Sequence, residues 1–430
     1  MTKIIVGLDI GTTKIACFVG RKNENGKIEI LSMGRSESLG VLRGTVSNIS
    51  NTIESIRKAV EDTKDNLNGD LIINSVIVGI AGHHIKSIQN RGILTRKETE
   101  LEISQKDIDE LIEDMYKINL NHGEEILHVL PQEYIVDNDQ GIKDPIGMSG
   151  VRLEANFHII TGEVNAARNI NKCVERAGLK VSQMILEPIA SAEAVLSEDE
   201  KVAGVVLVDI GGGTTDIAIF HEGIIRHTAV IPFGGNVITE DIKEGFTIMK
   251  EQAEKLKVRF GSALASESQE NEIVCIPSMR GLRAKEIKVK TLAKVIEARM
   301  SEIIDAVHLE IKNSGLERKL ICGIVVTGGG SQLKHLNQLF EYITGMDTRI
   351  GYPTEHLAIT KNSDLLASPM YSTGIGLVIK GFDDVRRKNE VNKSKGGVRE
   401  GSDPERKGGF FTSIINKGKE ISKNLLSDEE

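Results

Sequence analysis

The sequence predicts a two-lobed, internally duplicated α/β fold, and three observations carry that expectation. The chain has 430 residues, too many for one ordinary core. The pattern strand, Asp, Gly-containing turn, strand occurs twice, around Asp9 in IIVGLDIGTTKIACFV and around Asp209 in VVLVDIGGGTTDIAIF. A third Gly-rich turn, Gly328-Gly329-Gly330-Ser331, follows another apolar strand, Leu320 to Thr327.

The first hairpin, Ile4 to Val19, founds the base of one lobe (1–83), with a helical segment from Ile49 to Asn66 and a buried strand from Ile72 to Ala81 ending in Gly82. From His83 to about Ile160 the pattern changes to short strands around a charged helix, Ser104 to Ile118, with Ser104 at the N-cap and Asp107 in the first turn. This reads as an inserted subdomain, 84–162. The base resumes over 163–200, with a helix Asn165 to Ala177 closed by Gly178, a strand Val181 to Leu186, and Glu187-Pro188 opening a small-residue helix, Ile189 to Leu196.

The second hairpin founds the other lobe. Its base takes 201–238 and 317–363, and an outer subdomain takes 239–316, with a glycine-initiated helical region from Gly234 to Phe260 and a long helix from Lys290 to Asn313 closed by Gly315. Residues 364–383, with a Gly-spaced helix from Tyr371 to Val378, return to the first lobe. Residues 384–409 hold only Val385, Val391 and Val398 as apolar side chains and read as a disordered linker. In 410–426, Phe410, Phe411, Ile414, Ile415, Ile421, Leu425 and Leu426 recur at helical spacing among Lys417, Lys419 and Lys423, the pattern of an amphipathic helix on a membrane surface.

With 40% hydrophobic and 27% charged residues the composition is that of a globular protein. A net charge of −8 opposes nucleic-acid binding over the main body. The N-terminal apolar run is interrupted by Asp9 and has neither the h-region of a signal peptide nor the length of a membrane span, so the expectation is a cytoplasmic chain. Cys17, Cys173, Cys275 and Cys322 lack metal-site spacing and read as thiols. His83 and His84, adjacent at a strand end, point to opposite faces and suit a structural role.

A polyphosphate needs closely approaching backbone amides, hydroxyl donors and a metal held by carboxylates. Gly11, Gly211, Gly212 and Gly213 permit positive φ and expose N–H groups, Thr12, Thr13, Thr214 and Thr215 supply hydroxyls, Lys14 offers a cation, and Asp9 and Asp209 suit a hydrated Mg²⁺.

These turns, with Glu187-Pro188 and Ser372-Thr373-Gly374-Ile375-Gly376, resemble in order the five-part signature of the actin, sugar-kinase and heat-shock-chaperone superfamily. Within it GLDIGTTKI, GIAGHHI (79–85), LPQEYIVD (130–137), NAARNINKCVERAGL, LEPIASAEAVL, VDIGGGTTDIAIF, IPFGGNVITEDI and AEKLKVRFGSA are similar to the bacterial cell-division FtsA family. The resemblance implies an actin-like fold, with ATP and Mg²⁺ between the lobes. Gly11 to Lys14 would form the first phosphate loop and Gly211 to Thr215 the second, with Gly234 and Gly235 beside it. Gly328, Gly329, Gly330 and Ser331 would border the adenosine, and Glu254 and Lys257 would reach ribose and adenine, although spacing alone suits a solvated helix face for this pair. Glu187 and Asp209 sit where relatives orient water and metal, which implies slow ATP turnover at best.

The resemblance further implies self-association into filaments, attachment to anionic lipid on the cytoplasmic face of the membrane at the division site, contact with later division proteins, and binding of the tubulin-like polymer FtsZ by 239–316. Arg280, Arg283 and Lys290 are candidates for that contact, complementing an acidic partner tail. Alternatives from the same superfamily are a metabolite kinase and the pilus-assembly relative, neither expected to end in such a tail. A chaperone would need a further peptide-binding domain.

Overall fold

The computed structural model describes residues 3–24, 26–67, 72–96, 101–277, 284–354, 357–358 and 363–395. The chain opens with β1 (Ile4–Ile10), β2 (Lys14–Lys22), β3 (Ile28–Glu37), β4 (Val41–Leu42), β5 (Thr45–Val46), α1 (Ile49–Asp65) and β6 (Ser75–Ile80). The insertion contributes β7 (Lys86–Thr95), α2 (Gln105–Met115), β8 (Glu124–Val136), β9 (Asp139–Ile142) and β10 (Arg152–Glu163). Next come α3 (Val164–Arg176), β11 (Lys180–Leu186), α4 (Glu187–Val195) and α5 (Glu198–Ala203). The second lobe has β12 (Val205–Ile210), β13 (Thr215–His221), β14 (Ile224–Ile231), α6 (Gly235–Phe246), α7 (Lys250–Phe260), β15 (Ile273–Ile276), β16 (Lys285–Lys288), α8 (Val289–Asn313), β17 (Ile324–Thr327), α9 (Leu336–Thr344) and β18 (Thr348–Ile350). A short α10 (Ser363–Leu366) precedes α11 (Ser372–Lys395).

The duplication is topological. One five-stranded sheet runs β3-β2-β1-β6-β11 and the other β14-β13-β12-β17-β18. In each, the central strand pairs antiparallel with the next strand of its hairpin and parallel with the strand on its other side. Strands buried on both faces read as continuous apolar runs, and β12 is buried along its whole length. Each sheet has its own core: Leu8, Ile15, Cys17, Val78 and Ile170 in the first, Val206, Val208, Ile238, Leu292, Met300 and Phe340 in the second. The second core runs without a break through α6, α7 and α8, so the packing does not mark off 239–316 from the base.

The insertion forms a four-stranded sheet, β7-β10-β8-β9, with Leu111 and Met115 of α2 packed on Leu153 and Phe157. The Ser104 backbone N–H and hydroxyl both donate to Asp107 at 2.8 Å. Its strands are not short as expected: β8 spans 13 residues and passes through Pro131. A register shift absorbs the missing proline N–H, with Pro131 opposite Phe157 and Glu133 opposite Asn156. Gln132 falls in the shift and donates to the Ile225 carbonyl of β14, tying the insertion to the second lobe.

The expected linker is also revised, because α11 continues to Lys395. The stretch DVRRKNEVNKSK lacks Gly and Pro and is rich in helix formers, and extending an already nucleated helix needs no apolar surface. Gly376 lets α11 approach α4, since a β-carbon there would strike the Ala190 carbonyl.

The junction between lobes is held by charge. Glu193 of α4 accepts from Lys201 of α5 and from Lys380 of α11, both at 3.0 Å, and Lys201 is buried. Burial alone would raise the Glu193 carboxyl, but Lys380 and Lys201 hold it down at about 2. Its contribution is therefore fully present above the unfolded value near 4.5 and is lost as pH falls through 2. Glu193→Gln, which strands Lys380 and leaves the buried Lys201 only its 2.8 Å pair with Glu198, should lower unfolding free energy by about 2 kcal/mol in urea titrations at pH 7. An unchanged midpoint would show that the network is dispensable.

Candidate functional site

The two hairpins meet. In each, the glycine after the apolar strand donates across a tight turn, Gly11 N–H to the Lys14 carbonyl at 3.0 Å and Gly211 N–H to the Thr214 carbonyl at 2.9 Å. A β-carbon on Gly213 would lie 2.5 Å from Thr12 Oγ1, and one on Gly212 would strike the Thr13 side chain. The loops thus face each other with hydroxyl against glycine. None of Gly11, Gly211, Gly212 and Gly213 has positive φ, which corrects the conformational reason expected for them: these positions need glycine for close approach. Gly328 alone among the expected site glycines is left-handed, at φ 83°, with its Cα facing the Asp209 carboxylate.

Four carboxylates gather behind the loops. Lys14 Nζ holds Asp9 at 2.8 Å, so the lysine expected to meet phosphate already has a partner. Burial would lower the Lys14 ammonium, but Asp9 outweighs it and the group is raised. Asp209 accepts from Ser191 Oγ at 2.6 Å and Thr373 Oγ1 at 3.2 Å. Those two hydroxyls come from α4 and α11, so Asp209 ties its lobe to the other. Burial, and then Asp9, raise its carboxyl. Asp216 lies across the hairpin from Asp209, accepts from Thr214 Oγ1 at 2.9 Å, and leaves its buried Oδ1 without a partner. Burial and the Asp209 charge push it up to about 7. Glu187 makes no hydrogen bond or ion pair among the described residues, and burial with Asp9, Asp216 and Asp209 raises it well above the carboxylate range.

Such a cluster is an excess of negative charge that a cation would offset. Among the described residues no three His, Cys, Asp or Glu side chains converge to hold a metal directly. That donor set fits Mg²⁺, which keeps several waters and leans on substrate phosphates rather than on a protein cage.

A family model described as "Cell division protein FtsA" matches residues 206–376, and one described as "SHS2 domain inserted in FTSA" matches residues 82–161. The chain is 42% identical over 380 residues to Cell division protein FtsA of Pseudomonas aeruginosa, covering 88% of this chain and 89% of that one. It is 39% identical over 383 residues to that of Escherichia coli K12, covering 87% and 90%. The chain belongs to the FtsA family of cell-division proteins. Among solved structures it resembles the PilM–PilN type IV pilus biogenesis complex, with TM-score 0.65, 14% identity and coverage of 88% and 98%. It also resembles MreB5 of Spiroplasma citri bound to ADP, with TM-score 0.54, 15% identity and coverage of 91% and 99%. At such identities the likeness is one of fold, and the fold is actin-like with an inserted SHS2 domain.

Beside the second loop, Gly235 N–H donates to the Gly211 carbonyl and Asn236 N–H to that of Gly212, while Gly234 packs on the Gly211 and Thr214 carbonyls. Lys257 is not on a solvated face. Its Nζ donates to the Gly235 carbonyl, to Thr239 Oγ1 and to Glu254, each at 2.8 Å, and burial lowers its pKa against the pull of Glu254. Thr239 also donates to Glu254, at 2.5 Å. Ser331 Oγ donates to the Gly328 carbonyl, and Gly329 and Gly330 begin a short 3₁₀ turn, with open space around Gly329.

Lys290, at the start of α8 and remote in sequence from these loops, pairs with Glu270 at 2.5 Å. Arg280 and Arg283 lie outside the described residues, as do Phe410 to Leu426. His83 is exposed, whereas His84 is buried with both ring nitrogens unpartnered and its charged form disfavoured by burial. The functional side chains that sequence reasoning missed are Asp216, Ser191, Thr373 and Thr239. Each sits inside a recognised motif or beside one, but only the tertiary fold brings Asp216, Ser191 and Thr373 to the carboxylate cluster and Thr239 to Glu254 and Lys257.

Proposed function

We propose that this chain binds ATP with Mg²⁺ between its lobes, polymerises, and tethers the FtsZ ring to the cytoplasmic membrane at the division site through the amphipathic helix 410–426. The observation that carries the nucleotide part is the hydroxyl-against-glycine meeting of the two hairpins over a buried carboxylate cluster. Membership of a cell-division family supports the rest. MreB5 of Spiroplasma citri, similar in fold, has been solved with ADP and with AMPPNP.

In this reading Thr12, Thr13, Thr214 and Thr215 donate hydroxyl hydrogen bonds to phosphate, and Gly11, Gly212 and Gly213 let the backbone approach. Lys14 exchanges part of its bond to Asp9 for a phosphate oxygen. Asp9 and Asp209 hold the hydration shell of Mg²⁺, which when bound neutralises polyphosphate charge. Glu187, which makes no hydrogen bond or ion pair among the described residues, would orient water, and turnover would be slow. Gly234, Gly235, Glu254 and Lys257 border the sugar and base on one side, Gly328 to Ser331 on the other. The subdivision into 1–83, 84–162, 163–200, 201–238, 239–316, 317–363 and 364–383 belongs to the same proposal, as does an FtsZ contact within 239–316.

Among the described residues no helix is long and apolar enough to cross a membrane. The proposed anchor is peripheral: seven apolar side chains in 410–426 supply several kcal/mol of burial at about 1.5 to 3 kcal/mol per fully buried residue, less the ordering of a short helix. Single copies should bind reversibly, and filaments firmly through avidity. In liposome flotation with anionic lipid and ATP, the full chain should float, whereas a chain ending at Asp383 stays in solution and keeps ATP binding. Equal behaviour of the two rejects the anchor. Charge reversal at Arg283 and Lys290 should weaken co-sedimentation with FtsZ, and unchanged co-sedimentation removes those residues from the contact.

A further inference from the structure

The hairpin β4–β5 is closed by an unusual turn. Leu42 pairs with Thr45, leaving Arg43 and Gly44 as a two-residue loop, and both are left-handed, at φ 49° and 75°. A loop of this kind needs positive φ at both positions and strongly prefers Asn, Asp or Gly at the first. Arginine gains nothing from that conformation and carries its strain. A residue that breaks a local rule without a local benefit is a candidate for a role elsewhere.

The location of the turn supplies that role. Gly44 N–H donates to Thr12 Oγ1 at 3.1 Å, on the first phosphate hairpin. The Arg43 Cα would lie 3.0 Å from a β-carbon on Gly213, on the second. From behind, a β-carbon on Gly44 would lie 2.9 Å from the Gly82 Cα and 3.0 Å from the Ala81 carbonyl oxygen, so the turn is held against both hairpins and cannot retreat. The basic side chains near the loops are otherwise engaged: Lys14 holds Asp9 and Lys257 holds Glu254. Arg43 is exposed, and its guanidinium makes no hydrogen bond or ion pair among the described residues.

We propose that Arg43 binds the terminal phosphate of a nucleoside triphosphate and so makes the site discriminate triphosphate from diphosphate. This rests on the nucleotide reading above and adds a specificity-determining residue to it. A guanidinium is suited to the task, since its donors match phosphate oxygens in pairs and it stays charged at every physiological pH. With its backbone fixed where the two hairpins meet and its guanidinium unpaired among the described residues, Arg43 would contribute little to a ligand lacking the last phosphate.

The test compares ATP and ADP affinities, with Mg²⁺, for the full chain and for Arg43→Asn and Arg43→Lys, alongside thermal melts. Asn suits the left-handed position better than Arg, so Arg43→Asn should melt at the same temperature or higher. It should lose about tenfold or more in ATP affinity while ADP affinity changes less than about threefold. Arg43→Lys should recover part of the ATP preference. Equal losses for both nucleotides, no change for either, or a loss that tracks a lowered melting temperature would each overturn the assignment while leaving nucleotide binding intact. A wild-type chain that binds neither nucleotide overturns the nucleotide reading and this inference together.

Discussion

Gly213→Val should abolish most ATP binding, with affinity down by about a hundredfold or more in calorimetry, while the protein stays folded. The obstacle is space rather than handedness, because Gly213 does not have positive φ. A β-carbon there would lie 2.5 Å from Thr12 Oγ1, 2.9 Å from Thr12 Cγ2 and 3.0 Å from the Arg43 Cα. Valine adds two further methyl groups fixed at χ1, so Thr12 must swing away or the hairpins must part. Either response breaks the bond from Gly44 N–H to Thr12 and removes a hydroxyl donor from the phosphate site. The lost phosphate contacts, at about 1.5 to 3 kcal/mol for each hydrogen bond to a charged group, reach the ~2.7 kcal/mol of a hundredfold change, whereas the overpacking, about 1 to 3 kcal/mol, is a folding cost carried with or without nucleotide. The disturbed contacts lie between two loops rather than in the sheet cores, so the protein should stay folded with its melting temperature lowered by only a few degrees. Gly245→Ala is the control, since a β-carbon there, in the last turn of α6, meets nothing within 4 Å and relieves the helix of a glycine. It should bind ATP as the wild type does. Undiminished affinity in a folded Gly213→Val protein would remove the nucleotide site from this cleft.

Much of this site was legible before any coordinates, because its loops are local sequence events. Asp9-Ile10-Gly11-Thr12-Thr13 and Asp209 to Thr215 announce strand, tight turn and strand within a dozen residues, and repetition of the pattern predicts repetition of the sheet. What the sequence could not convey is which property of glycine each position uses. Gly212 and Gly213 serve close approach to Thr13 and Thr12, contacts about 200 residues away along the chain. Asp216 was visible only as a polar residue in a return strand, since its unpaired oxygen and raised pKa follow from burial beside Asp209. Lys257 shows the opposite error: its spacing fits an exposed face, but α7 turns it onto the Gly235 carbonyl. Pro131 disguised the length of β8, because a proline inside a strand reads as an end until a bulge is seen to absorb it. β3 was missed for a related reason. Its buried residues Ile28, Ile30, Ser32 and Gly34 alternate with outward ones, and half of that inward set is small or polar.

Acid should weaken the contact between the insertion and the second lobe, and His158 is the titrating group that bridges it. On β10, its Nδ1 lies 3.0 Å from Gln89 Nε2 and its Nε2 lies 3.0 Å from Thr228 Oγ1 on β14, with the ring fully buried. Burial, with some help from His227, pushes its pKa down to about 4. The facing charges are few: His227 on β14 is itself paired with Glu310 of α8 at 3.0 Å. Because the native ring titrates near 4 and the unfolded one near 6.5, the unfolded chain holds the extra proton between those values. Stability from this group is therefore complete above about pH 6.5 and drains away as pH falls toward 4, on the order of 3 kcal/mol in all. His128, which accepts the Leu186 N–H at 3.0 Å and is also pushed down to about 4, acts in the same direction and window. Asp216 and Glu187 act in the opposite direction. Their native pKa values are raised, so acid relieves their mutual repulsion and stabilises the fold over part of the same range. The wild-type profile alone mixes these terms, and the informative quantity is the gap between wild type and His158→Gln, a variant that cannot take the proton. In urea titrations the wild type should be the more stable at pH 7.5, and its advantage should shrink by about 3 kcal/mol between pH 6.5 and pH 4. Parallel profiles across that interval would mean that His158 keeps the same protonation in both states, and that the buried ring does not sense acid.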